Sequence, residues 1–221
     1  MGEMALGYGS EFHLLRWIGR HRNLFDNKIN ELLKINDINW LDFNFNKNKS
    51  IPDDELKGFE FVPLNSIVRD TFKKEWPQSG NVMNWDLVGY SKKTSTWILC
   101  EAKAHIGELK SKCGASEGSK KQIIDALNKT KEYLKISKEN NWTEPYYQYA
   151  NRLYSVCLLK RLNFNAILLK IYFIGDMVQK NVRNSPQNII EWDTAINEMN
   201  NIMGLNEELD FVKHLYLNTF E

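Results

Sequence analysis

Apolar and polar positions alternate along this chain with two periods. In GSEFHLLRWIGRHRNLF, residues 9–25, Leu14, Leu15, Ile18 and Phe25 form one helical stripe, which predicts a helix with Ser10 as its N-cap. Glu11 lies on the same stripe, one turn before Leu14 and Leu15. KINELLKI predicts a second short helix. NWLDFNF alternates instead, with Leu41, Phe43 and Phe45 on one face, and predicts a strand. NKNKSIPDDELKG reads as a polar loop, and NSIVRDTFKKEW as a helix stopped by the turn cluster PQSGN.

NWDLVGY and TWILCEAKA predict two strands, and the short link SKKTS favours an antiparallel hairpin. After the loop IGELKSKCGASEG come two predicted helices, SKKQIIDALNKTKEYLKIS and PYYQYANRLYSVCLLKRL. NAILLKIYFIGD predicts a buried strand. SPQNIIEWDTAINEMNNIMG predicts a helix with Ser185 as N-cap, Pro186 at its first position and Gly204 past its end. The tail ELDFVKHLYLNTF fits a last strand or a short helix, and a strand is the expectation. Helices flanking mixed strands predict an α/β fold, a mixed β-sheet flanked by helices, in one domain over residues 1–221.

One strand breaks the apolar pattern. In WILCEAKAH, Glu101, Lys103 and His105 alternate onto one face. Ionised side chains in a buried strand need partners or a metal. If the hairpin turn centres on Lys93 and Thr94, Asp86 lies opposite Glu101, with Cβ atoms ~5 Å apart. Two carboxylates that close repel, and a divalent cation between them removes the conflict. Each residue also has a plainer reading. Glu101 and Lys103 could form a surface pair, Asp86 a turn, and Glu11 a complement to the positive end of its helix. Cys100 alternates away from Glu101 and is expected in the core.

The D…ExK arrangement of Asp86, Glu101, Ala102 and Lys103 resembles the signature of the PD-(D/E)XK nuclease superfamily, which includes restriction enzymes and junction resolvases. EAKAH and QYANRL are similar to a less characterised bacterial branch. Asn84-Trp85-Asp86 stands where the name-giving Pro-Asp would be. The resemblance implies a restriction-endonuclease-like core, Mg²⁺ or Mn²⁺ as cofactor, and hydrolysis of phosphodiester bonds in nucleic acid, DNA first. It implies that Asp86, Glu101, Glu11 and the carbonyl of Ala102 hold the metal, and that Lys103 orients water or stabilises the transition state. His105, Gln148 and Arg152 become candidates for contacting substrate, and Trp142 for stacking on a base. A homodimer is common among similar enzymes. The alternative is a nuclease fold that has lost catalysis and only binds nucleic acid or a protein.

Composition narrows the partners. The 221 residues carry a formal net charge of +1, so a polyanion would need a local basic patch. Residues 103–138 hold nine lysines against four acids, a local excess of +5 beside the candidate site. Three scattered cysteines lack zinc spacing and suggest no disulfide framework. The opening MGEMALGYGSEFH lacks a basic end followed by an apolar run, so no export leader is expected in it, and AILLKIYFIG is too short to span a bilayer. A cytoplasmic protein without a membrane partner is expected.

Overall fold

The computed structural model describes residues 7–41, 55–80, 82–177 and 185–219. Phe43 and Phe45, assigned above to a strand, lie outside them. Two helices come first, α1 (Ser10–Arg20) and α2 (Arg22–Leu33), followed by the short strand β1 (Ile38–Trp40). The helical stretch breaks at His21, not after Phe25, and Gly9 is the N-cap where Ser10 was expected. Gly9 adopts φ 94°, a backbone region open to glycine, and its N–H donates to Asp176.

Next come β2 (Leu56–Lys57), α3 (Ile67–Glu75), β3 (Asn84–Trp85), β4 (Leu87–Ser91) and β5 (Thr96–Lys103). The segment expected to be a continuous polar loop thus contributes β2, which pairs antiparallel with β3. Two helices follow, α4 (Glu117–Tyr133) and α5 (Tyr147–Arg161), then β6 (Asn165–Ile174), α6 (Ile189–Met203) and β7 (Val212–Asn218). The N-cap of α6 is Asn188, whose side chain accepts from the Glu191 N–H, and Ser185 instead donates to the Ala104 carbonyl. Gly204 closes α6 in the left-handed region, as its sequence position predicts.

The main sheet has five strands in the order β1-β4-β5-β6-β7. The first two pairings are antiparallel and the last two parallel. Parallel neighbours need crossovers, and α4 with α5 serves β5–β6 while α6 serves β6–β7. Alternation along β5 sends Ile98, Cys100 and Ala102 to one face, where they pack with Leu14 and Trp17 of α1 and Phe25 and Ile29 of α2. Leu99 points the other way, into a larger core with Leu153, Tyr154 and Val156 of α5 and Trp192 of α6. Glu101 and Lys103 share the Leu99 face. The result is a mixed α/β fold with helices on both sides of the sheet.

Candidate active site

The β-ribbon bends at Asp86. Residues 84–85 pair with β2, residues 87–91 pair with β5, and Asp86 alone joins the two ladders. The β4–β5 register runs Leu87↔Cys100, Val88↔Leu99 and onward to Ser91↔Thr96. Continued by one residue, it sets Asp86 opposite Glu101. Leaving the ladder frees the Asp86 carboxylate to fold back, and its Oδ2 accepts from the Ala102 N–H at 2.6 Å.

Glu101 is 1% exposed and accepts from two cations. Lys103 Nζ lies 2.5 Å from Oε1, and Arg152 Nε lies 2.5 Å from Oε2. The Arg152 guanidinium also sits 4.9 Å over the Trp85 ring and donates to Asn151. On the neighbouring strand Lys170 pairs with Glu101 across the ladder, 2% exposed, with Nζ 5.3 Å over the Tyr149 ring. His214 follows in the next strand. Asp86, Glu101, Lys170 and His214 therefore form one polar row across the sheet face that also carries Lys103.

These contacts set the proton affinities. Burial, and then the Glu101 charge, pushes Asp86 up to about 7. Burial also opposes ionised Glu101, but Arg152, Lys103 and Lys170 outweigh it and hold the carboxyl at about 2. Burial works against the Lys103 ammonium, yet Glu101 and Asp86 raise its pKa above the usual lysine value. Lys170 is lowered to about 7 by burial, despite the pull of Glu101. His214 falls to about 4, through burial and then through the Lys170 charge.

A cavity of about 230 Å³ opens onto this cluster, lined among others by Glu11, Glu55, Asp86, Glu101, Lys103 and Gln148. Glu11, an exposed residue of α1, thus faces the same space as the three D…ExK side chains. Gln148 does too, whereas Arg152 is buried against Glu101 and lines a neighbouring cavity. His105 does not line either cavity. The strand ends at Lys103, the chain turns into a 3₁₀ segment (Ile106–Leu109), and His105 Nε2 lies 2.8 Å from Glu108 Oε1. Trp142 is buried with its indole N–H on the Met203 carbonyl, so it offers no face to a base. Cys100 is core, as alternation requires. Sequence reasoning missed Glu55 and Lys170. Glu55 ends a polar stretch without periodicity, and the one signal for Lys170 was a lysine inside a ten-residue apolar strand.

The donor set bears on a metal. Asp86 carries a disfavoured second negative charge beside Glu101, which is what a divalent cation relieves. Magnesium takes one or two carboxylates and completes its shell with water, so Asp86 and Glu101 suffice. Among the described residues no three His, Cys, Asp or Glu side chains converge into a closed cage. In the geometry seen here Lys103 and Arg152 hold the Glu101 oxygens, so a cation would share Glu101 with them. No helix among the described residues is long and apolar enough to cross a membrane. Compared with known proteins, the chain matches no family model, no curated protein and no solved structure.

Proposed function

We propose that the Asp86–Glu101–Lys103 cluster hydrolyses phosphodiester bonds in nucleic acid with Mg²⁺ or Mn²⁺, on a restriction-endonuclease-like core of the PD-(D/E)XK type. One observation carries this reading. The hairpin register sets Asp86 beside Glu101 and Lys103, and all three line one open cavity. Asp86 and Glu101 would hold the cation, with the Ala102 carbonyl and Glu11 within the same region. A bound divalent ion supplies charge neutralisation at the phosphate and a more acidic water. The chain's own groups do the rest. Lys103, charged and anchored on Glu101, stabilises the extra negative charge of the transition state once Glu101 is shared. Arg152 keeps Glu101 ionised and fixed in place. Gln148 lines the cavity and offers an amide to a phosphate oxygen.

The experiment is a cleavage assay on single- and double-stranded DNA with Mg²⁺ or Mn²⁺, comparing wild type with Lys103→Ala and Asp86→Ala. Metal-dependent cleavage lost in both variants is the expected result. Cleavage that is absent in wild type, or unchanged in both variants, overturns it. A second reading, a nuclease fold that only binds nucleic acid, is favoured by the two cations already held on Glu101. It predicts salt-sensitive binding without metal-dependent cutting.

A further inference from the structure

Three cavities adjoin one another along the ribbon that carries Asp86. The 230 Å³ cavity shares Glu55, Asp86 and Gln148 with a second of about 440 Å³. The second shares Val82 and Asn84 with a third of about 470 Å³. Asn84 and Asp86, two apart on an extended segment, both open into the middle cavity, as strand alternation requires. Adjoining in this way, the three cavities are taken together as one groove.

The two ends differ in charge. The Asp86 end holds the carboxylates. The far end is lined by Lys57, Arg69 and Lys73 against a single acid, Glu60. The Glu60 carboxylate accepts from the Lys57 backbone N–H at 3.1 Å, so it faces the chain. Arg69 is fixed by donating from Nε to the Val62 carbonyl and from Nη2 to the Glu60 carbonyl. The Lys57 and Lys73 ammoniums form no ion pair among the described residues. Between the ends, the half-buried Tyr147 lines the groove beside Asn84, Ser111 and Asn151. An aromatic ring between a basic pocket and a polar wall is what unpaired bases stack on.

We propose that this groove binds a single-stranded polynucleotide, with backbone phosphate at Lys57, Arg69 and Lys73, a base on Tyr147, and the strand leading to Asp86. This rests on the reading of the Asp86 site as one that acts on nucleic acid. A duplex hides the base faces that Tyr147 would need, so the unpaired strand is the preferred ligand.

The test is fluorescence anisotropy of a labelled oligothymidylate with excess chelator, over a range of salt. The proteins are wild type, the Lys57→Gln/Lys73→Gln double variant and Tyr147→Leu, each shown by melting to be folded. The double variant is expected to bind more weakly and to lose about 0.7 from the log–log salt slope per lysine removed. Tyr147→Leu is expected to weaken binding roughly 5- to 150-fold with the slope unchanged. Duplex DNA and polyglutamate are expected to compete poorly. Wild-type strand binding that is absent, insensitive to the two lysines, or displaced equally well by polyglutamate overturns the groove. Strand binding that follows these expectations, in a protein that never cuts with metal, supports the groove and removes the hydrolytic reading alone.

Discussion

Replacing Asp86 by asparagine is expected to stabilise the protein at pH 8 and to leave it nearly unchanged at pH 4. The carboxyl is held at about 7 in the folded chain against an ordinary value of 3.8. For an acid raised in this way, the folded state resists ionisation. Stability is intact below 3.8, falls as pH rises toward 7, and levels off above it. A difference of about three pKa units is worth up to about 4 kcal/mol at pH 8, and less than about 1 kcal/mol at pH 4. Asparagine keeps an acceptor for the Ala102 N–H and removes the charge that burial and Glu101 oppose. For a chain this long, each kcal/mol moves Tm by about 2–4 °C, so the ceiling is a rise of roughly 8–16 °C at pH 8. The assay is thermal melting of both proteins across pH 4–8 in chelator, so that no cation supports the wild-type carboxylate. A Tm difference that does not grow with pH, or that favours wild type at pH 8, refutes the account of Asp86 as a carboxylate strained by its neighbours.

Two other changes probe the surrounding packing. Arg152→Ala strands Glu101 in the interior with one fewer cation and is expected to cost about 3–5 kcal/mol by urea denaturation, with partial recovery on adding Glu101→Gln; a midpoint within error of wild type contradicts the buried pair. Gly89→Ala would bring a Cβ to 2.7 Å from both Ile38 Cγ2 and Trp40 Cε3, and is expected to cost about 1–3 kcal/mol in the same measurement; an unchanged midpoint means that β1 does not pack on β4 as described.

Local patterns carried well and distant pairings did not. The Asp86–Glu101 opposition was legible because paired residues of an antiparallel hairpin keep a constant sum of positions, and the length of SKKTS fixes that sum. Lys170 was not legible as a partner of Glu101. The two are joined by a parallel ladder across two helices, and no turn sets that register. Arg152, expected to contact substrate, was not legible as a partner of Glu101 for a related reason. Gln148 and Arg152 form a polar stripe on α5, and a polar stripe usually means solvent. Yet α5 is covered on nearly every side, with each residue from Tyr149 to Leu159 buried, so its arginine finds an acid inside the protein. The α6 start shows competing caps. Ser185 and Asn188 both suit an N-cap, and the Glu191 three residues after Asn188 completes the reciprocal bonding there.

Under the proposed function, the charges in the cluster suit a reactive site better than a structural brace. Glu101 is firmly ionised, and Lys103 and Arg152 are both in contact with it, a balance of one negative against two positive. Asp86 and Lys170 decide the remainder, and both sit near neutrality at about 7. With Asp86 ionised and Lys170 neutral the cluster sums to zero; with Asp86 protonated and Lys170 charged it sums to +2. A cation entering the cavity favours the first state and a phosphate anion favours the second. A brace gains nothing from groups poised between the two, and replacing a buried ion network with apolar side chains is often neutral or stabilising. Strand β6 is apolar around Lys170, so an apolar residue there would continue the core without any need for an anion. The lysine is instead the direct ladder partner of Glu101, where a charge bound beside Asp86 would shift its protonation.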